Sequence, residues 1–426
     1  MKKSIVSMAV GLCLCSSLSY AGNAITDNVN DDHVVAGDYI QVALPLTGLF
    51  AAWLHDDAEG AKQLTYSLAT TVGIVQAGKY AIGRVRPNAS NYASFPSGHT
   101  AAAFSGAAFL QSRYGAKWGI PAYLAASYVG ASRIHGNRHY ADDVVAGAGI
   151  AFLTNQFFVS EYTPEGVNLG VAPLKDGMML NFSLTNDALN YDSKRQRSKL
   201  NTQKVRRHSF TLDIGFNLHD SIGDIGASSA LKGSSQVDEH QPFSNATYAY
   251  QLDKTSAIEV QLSPNETRRY GLATNDFMLG DKAYSKDDSL LVALRQWSIG
   301  ASYLKSYQLI ENVDFTAGVG LHAYYVELEV DRVNGGAHSS LSSTPILPSV
   351  TAKLEYQLSQ NWSAHARVDY QALDKDKVFS SEGGVTYQVN PEWDIDLKYS
   401  HTNNRWNSSA AQYRSDSVVF AVTNHF

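Results

Sequence analysis

Three short motifs between Lys79 and Asp143 hold residue types suited to phosphoryl transfer. Lys79 is followed after six residues by Arg86-Pro87. Pro96-Ser97-Gly98-His99 comes next, and Ser132-Arg133 then precedes His139 and Asp143. A phosphoryl group in transit spreads charge over its equatorial oxygens, so its catalysis is largely positioning and electrostatic stabilisation. Lys79, Arg86 and Arg133 are candidate clamps, because arginine forks match phosphate oxygens. Ser97 and Gly98 can turn the chain and aim backbone N–H groups at an anion, where a helix N-terminus adds its dipole. His99 could attack phosphorus from that turn. His139 and Asp143 are four apart and share a helical face. A carboxylate on one ring nitrogen fixes the tautomer and frees the other nitrogen to protonate a leaving alkoxide. Such a general acid contributes roughly 10²–10⁴-fold in rate.

Each motif alone has a plainer reading. Pro-Ser-Gly-His also fits an ordinary helix cap followed by an exposed histidine. His139 and Asp143 also fit a surface pair, or two ligands of a metal, although no metal-motif spacing supplies the remaining ligands. Arg84 and Arg138 lie in the same segments and are left outside the direct contacts. The order of the motifs within one short region carries the argument.

The elements that must position these residues differ between the two halves of the chain. Residues 38–159 have a helical pattern, with apolar and small residues dominating 39–53, 64–82, 100–114, 116–131 and 141–158. Each segment carries polar residues, which points to a compact helical bundle, water-soluble or lying at a membrane surface, with a multi-span membrane domain as the alternative. After about residue 163 the period becomes two. Phe210, Leu212, Ile214, Phe216 and Leu218 alternate with polar residues and glycine, and Phe315 to Tyr325 and Val350 to Leu358 repeat the pattern. Short connections near 253–256, 310–312, 360–361 and 390–391 alternate with long polar ones near 220–243, 268–286, 333–344, 374–382 and 401–416.

Long alternating segments, short turns at one end and long loops at the other are features of a transmembrane β-barrel. A soluble barrel also alternates. Aromatics at segment ends (Trp297, Tyr324, Tyr356, Trp362, Trp393, Tyr399) favour the membrane version, as does the terminal Phe426, an ending that resembles the assembly signal of outer-membrane barrels. Ten strands follow His208, and a further hairpin at 167–174 and 178–186 gives an expected total of twelve, with ten as the fallback.

The N-terminus reads as a secretory signal, with Lys2-Lys3, an apolar run and a Ser19-Tyr20-Ala21 cleavage site. Both cysteines, Cys13 and Cys15, fall inside it, so the mature chain has no disulfide or thiolate chemistry. The net charge of −6 carries no nucleic-acid signature. The basic stretch 193–207 is a solvated loop or a contact with anionic headgroups.

The three motif segments resemble the signature of the type 2 phosphatidic acid phosphatase superfamily, which also contains bacterial class A acid phosphatases and vanadium haloperoxidases. Every signature position is filled, over roughly residues 35–160. The resemblance implies an all-helical phosphatase that needs no metal or other cofactor. It makes His99 the phosphohistidine nucleophile, His139 the acid and then base, and Asp143 the group that orients His139. Lys79, Arg86, Ser97, Gly98 and Arg133 would hold the phosphoryl oxygens.

The expected chain is thus multi-domain: a signal peptide (1–21), an all-α phosphatase bundle (22–163) and an antiparallel outer-membrane β-barrel (164–426). The phosphatase domain is expected in the periplasm. Its expected partners are outer-membrane lipids and a phosphorylated small-molecule or lipid substrate: a phosphatidate, a polyprenyl diphosphate or a lipid A phosphate. The alternatives are a vanadate-dependent haloperoxidase, and a pore or adhesin barrel with the bundle as its plug. The sequence sets neither the substrate nor the oligomeric state.

Overall fold

The structure is a computed structural model that describes residues 25–162, 168–174, 177–183, 206–223, 225–236, 241–333 and 337–426. The expected signal peptide lies outside the described residues, as does the basic stretch apart from Arg206 and Arg207.

Five helices run up and down: α1 (Asp32–Leu54), α2 (Ala58–Ile82), α3 (Gly98–Tyr114), α4 (Ala116–His135) and α5 (Ala141–Phe158). Side-chain caps start the first three, from Asp31, Asp57 and Ser97, each satisfying backbone donors that a helix start leaves open. Leu44, Leu64, Phe109, Leu110 and Val129 form the core. A Cβ on Gly106 would lie 2.5 Å from the Leu44 backbone, so only glycine lets α1 and α3 approach this closely. The outward face of α1 exposes Val42, Leu46, Leu49, Phe50 and Trp53, and this helix is long and apolar enough to cross a membrane. That face departs from the polar exterior of a water-soluble bundle.

Ten antiparallel strands close into a barrel: β1 (His208–Ile222), β2 (Pro242–Gln251), β3 (Ser256–Leu272), β4 (Ser289–Ile310), β5 (Val313–Arg332), β6 (Ile346–Gln357), β7 (Trp362–Leu373), β8 (Asp376–Asn390), β9 (Trp393–Trp406) and β10 (Ala411–His425). Each pairs with its neighbours in sequence, and β10 returns to β1 with Phe420 opposite Ile214. The barrel therefore has the fallback number of ten strands rather than twelve. Asn168–Leu174 and Gly177–Ser183 do form a hairpin, but the β1–β10 pairing completes the ring and leaves it outside. Two expected long loops are also absent. The polar residues near 374–382 and 401–416 belong to strands joined by two- and four-residue turns, 374–375 and 407–410, and some of those side chains point into the lumen, where Asn404 donates to Gln296 at 2.9 Å.

One end of the barrel has only short connections, 252–255, 311–312, 358–361 and 391–392, together with its two termini. The other end carries the long loops 223–241, 273–288 and 333–345. Val319, Leu321, Val350, Leu354, Val385, Leu397 and Phe420 face outward and are exposed, which gives the barrel the apolar belt of an outer-membrane protein. The lumen is crossed by ion pairs from Arg367 to Glu259 and Asp369 and from Lys398 to Asp213 and Glu382. Towards the loop end Leu231, Leu290, Val326, Tyr324 and Trp406 form an apolar core inside it.

The bundle lies beside the barrel rather than beneath it. Helix α5 runs down the outer wall. The Asp142 carbonyl accepts from Ser244 Oγ at 2.7 Å near the loop end. Leu212 fills the gap opposite Gly149, where a Cβ would come within 2.7 Å. Phe152 meets Phe210 at 4.7 Å, and Phe157 reaches Trp393 at the short-turn end. The helix ends that hold the sequence motifs are thereby set at the loop end of the barrel.

Candidate active site

The motif residues converge on this loop-end rim. Lys79 sits in the last turn of α2, and a Cβ on Gly98 would lie 3.8 Å from its Cε. Gly83, at φ 64°, ends α2 in the left-handed conformation, and the chain turns through Arg84 and Arg86 into α3. Ser97 caps α3, and its backbone N–H donates to the Asp143 carbonyl at 2.9 Å, which ties the Pro-Ser-Gly-His turn to the start of α5. His99 is the second residue of α3, and its Nε2 lies 3.2 Å from Asp38 Oδ1. Arg133, fully buried, donates from Nη1 to the same Asp38 oxygen at 2.5 Å and from Nε to Ser132 Oγ at 3.2 Å. His139 follows α4, with Nδ1 3.5 Å from Asp143 Oδ2. That separation is longer than a formed hydrogen bond, and the buried Nδ1 has no other partner; such contacts often tighten only when substrate binds.

Asp143 is the best-held carboxylate of the group. It accepts from Arg84 Nη1 at 2.8 Å, Ser94 Oγ at 2.5 Å and the Tyr140 N–H at 2.8 Å. Burial alone would raise its pKa, but the charge of Arg84, the neighbouring His139 and the Ser94 hydrogen bond hold it below the usual carboxylate range. Asp142, also bonded to Arg84, is pushed up by burial and by the neighbouring Asp143 charge. Burial, then the charges of Arg133 and His139, lower His99 to about 4, so its imidazole is neutral at physiological pH. Burial, opposed by Asp143 and reinforced by Arg86, brings Lys79 down to about 8. His139 is lowered by burial, which Asp143 partly offsets.

This arrangement suits an anion. Three fixed cations and a capped helix start surround a neutral imidazole, and Arg86 Nε is buried with no partner. An orphaned donor of that kind leaves a desolvation penalty that a phosphate oxygen would relieve. Among the described residues, no group of three or more His, Cys, Asp or Glu is placed to hold a metal ion.

Sequence reading missed three parts of the site. Asp38, which bridges His99 and Arg133, lies far upstream in an apolar helix with no local motif. Arg84 proves to be the buried counter-ion of Asp142 and Asp143, behind the site rather than in it; two adjacent carboxylates on one helix start were the available signal. The third is the barrel itself. Arg268 of β3 donates to the carbonyls of Pro87 and Ile25, both at 2.8 Å, and lies 5.1 Å from the centre of the Tyr140 ring, with Arg84 over that ring at 3.9 Å.

Fold and site together define a helical domain with a cation-rich rim, joined to a ten-stranded barrel of the outer-membrane kind. Residues 60–163 match the PAP2 superfamily and form a domain of that superfamily. The chain is 36% identical over 135 residues to a lipid A 1-phosphatase of Porphyromonas gingivalis, a stretch that covers 29% of this chain and 30% of that protein. The chain thus spans about a third of the length of that curated relative. Among solved structures, Aquifex aeolicus LpxE aligns at 23% identity over 31% of this chain and 88% of that one, with a TM-score of 0.27. The translocator domain of the autotransporter NalP from Neisseria meningitidis aligns at 12% identity over 55% of this chain and 95% of that one, with a TM-score of 0.30.

Proposed function

We propose that this protein is a phosphatase that hydrolyses phosphomonoesters or diphosphates of membrane lipids through a phosphohistidine on His99, without a metal, while its barrel anchors it in the outer membrane. The observation that carries this reading is the gathering of Lys79, Arg86, Ser97–His99, Arg133 and His139–Asp143 at one rim of the bundle. The name of the curated relative favours a lipid A phosphate among the expected substrates, ahead of phosphatidates and polyprenyl diphosphates.

In the reaction, neutral His99 forms an N–P bond as the bond from phosphorus to the leaving oxygen breaks. His139 gives that oxygen its proton. Arg86, Arg133 and Lys79 neutralise the equatorial oxygens. The bound phosphoryl dianion raises the His139 pKa back towards the protonated form that this step needs. His139, now neutral, then takes a proton from water; the water oxygen bonds to phosphorus, the N–P bond breaks and inorganic phosphate leaves.

The side-by-side packing bears on location. A periplasmic domain hanging below the barrel would not meet β1–β3 along its length. Instead the site lies level with Arg268, Glu266 and Arg295, charged residues on the outer wall beyond Trp297 and Tyr325. That level fits headgroups rather than hydrocarbon, and the long loops on the same end fit the outer face of the membrane. The apolar exterior of α1 suits lipid contact along the bundle.

Phosphate release by the purified full-length protein tests the reading. Wild type should release phosphate from lipid phosphates in the presence of EDTA and lose that activity with vanadate, and His99→Ala should release none while still inserting and folding. An acid-labile, base-stable phosphoenzyme should accumulate in His139→Ala given p-nitrophenyl phosphate, whose leaving group needs no proton from His139. Normal turnover by His99→Ala, or activity that disappears with EDTA, would remove the mechanism.

A further inference from the structure

Between α4–α5 and the outer wall of the barrel lies a cavity of about 2460 Å³. Ligand pockets for drug-sized molecules run to roughly 300–1,000 Å³, so this one accommodates something considerably larger. Its flanks are apolar and come from both domains: Val144, Ala148 and Phe152 from α5, and Ala246, Leu262 and Ile299 from the barrel. Its head is formed by Ser132, His139 and Tyr140. Lys79, Arg86 and His99 do not line it.

That asymmetry has chemical meaning. In an in-line displacement the nucleophile and the leaving oxygen lie on opposite sides of phosphorus. If His99 attacks and His139 protonates the leaving oxygen, the alcohol part of the substrate extends away on the His139 side, where the cavity opens. The dimensions agree. From Tyr140 to Phe152 the helix rises about 18 Å, close to the roughly 15 Å of hydrocarbon in one leaflet. Trp297 and Tyr325, packed 5.7 Å apart, also line the wall, as interfacial aromatics do between headgroup and chain.

We propose that this cavity is the acyl-chain site of a multi-chain lipid phosphate, with the barrel wall as one of its two sides. The proposal rests on the phosphatase reading above and deepens it. The barrel is then part of the substrate site as well as an anchor. The phosphoryl group sits at headgroup level among the cations, and the chains descend between α5 and β2–β4.

Filling the cavity in the full-length protein tests this. Ala148→Trp and Ala246→Trp narrow it from opposite sides without touching the site, and Val385→Trp, on an exposed outward position of β8, is the control. Wild type and variants are compared on dioleoyl phosphatidate in mixed micelles and on soluble p-nitrophenyl phosphate. Both filling variants should lose at least about tenfold in kcat/KM on the two-chain lipid, the scale of steric discrimination in apolar pockets. They should stay within about twofold of wild type on p-nitrophenyl phosphate, and the control should match wild type on both. Mass spectrometry of lipid retained after detergent exchange gives a readout independent of catalysis: wild type keeps acyl lipid and the filled variants lose it. Equal losses on both substrates, or wild-type turnover and wild-type lipid retention in the filled variants, overturn the proposal. Retained lipid that the variants lose, together with a wild type inert on both substrates, would uphold the cavity as a lipid site and sink the phosphatase reading instead.

Discussion

The two halves of this molecule handle buried charge in opposite ways. In the barrel, carboxylates outnumber the cations they meet: Arg295 faces Glu266, Glu327 and Glu329, Arg367 faces Glu259 and Asp369, and Lys398 faces Asp213 and Glu382. Those cations are fully engaged and leave little for a ligand. At the bundle rim the balance reverses. Arg84 is committed to Asp142 and Asp143, while Lys79 and Arg133, which donate to the Ala93 and Val34 carbonyls, and Arg86 have only Asp38 and the charge of Asp143 to balance theirs. Buried ion pairs are weak evidence of function, since their desolvation offsets much of their attraction. A local excess of one sign, with an orphaned donor in it, is stronger evidence, because only an arriving anion balances it.

The sharpest way to break that contrast is to remove one charge or nucleophile from each half. His99→Ala should cut kcat/KM by at least about 10⁴-fold with an unchanged melting profile, as expected for loss of a covalent nucleophile. Lys398→Ala should do the reverse: activity within about twofold at permissive temperature, but a barrel destabilised by about 3–5 kcal/mol, because Asp213 and Glu382 lose their partner. Heat-modifiable gel mobility reads the second effect and phosphate release the first. If Lys398→Ala silences the enzyme while the barrel stays intact, the division between structural and functional charge fails.

Arg133 should show the next largest effect. Arg133→Ala removes a cation that holds Asp38 beside His99 and should reduce kcat/KM by roughly 10²–10³-fold. Arg133→Lys should recover only part of this, because an ammonium cannot make the forked contact. Full rescue by lysine would reduce the role of Arg133 to simple charge.

The rim was legible in sequence because its parts are local. Ser97, Gly98 and His99 are adjacent, and His139, in the bend before α5 rather than on the expected shared helical face, is only four residues from Asp143 in the first turn. Alternation along β1, β5 and β6 was legible for the same reason: side-chain period is a property of a few neighbouring residues. What stayed hidden depends on contacts distant in the chain. The strand count turned on whether β10 would meet β1, a pairing of Phe420 with Ile214 that no local pattern encodes. Asp38 offered no motif because its meaning comes from Arg133 and His99, which belong to other helices. Gly149 looked like one more small residue for helix packing, yet what it admits is Leu212 of the barrel. A glycine states that something approaches closely, without saying what.

The pH profile sharpens the same contrast more gently. With His99 lowered to about 4, the nucleophile is protonated and inactive only below that pH and becomes neutral as pH rises through it. With Lys79 lowered to about 8, the clamp is charged below that pH and is lost above it. The kcat/KM profile, which reports the free enzyme, should therefore rise near pH 4 and fall in two stages, first as His139 loses the proton it donates, at a pKa held below the ordinary imidazole value, and then near pH 8. Lys79→Arg should carry the alkaline limb upward and leave the acid limb in place. An alkaline limb that ignores this substitution belongs to another group.

The smallest expected effect crosses the boundary between the halves. Arg268 is the barrel cation that spends its hydrogen bonds on the bundle, holding the Pro87 carbonyl beside Arg86 and flanking Tyr140 beside His139. It lines the cavity wall but none of its hydrogen bonds reaches the phosphate site, so for a soluble phosphoester it is a positioning residue. Charge-assisted hydrogen bonds contribute about 1.5–3 kcal/mol, and part of that should persist through Ser244 and the Phe152 contacts. Arg268→Ala should therefore lower kcat about three- to tenfold with little change in KM for a soluble phosphoester, a share of that hydrogen-bond energy. Arg268→Lys should restore most of it. A merely structural role predicts a lower melting temperature and an intact kcat, whereas an insulated site predicts no change in either. A drop in kcat without a drop in stability would mean that the barrel helps to hold the catalytic loops in register, and that the division between a working bundle and a passive anchor ends at Arg268.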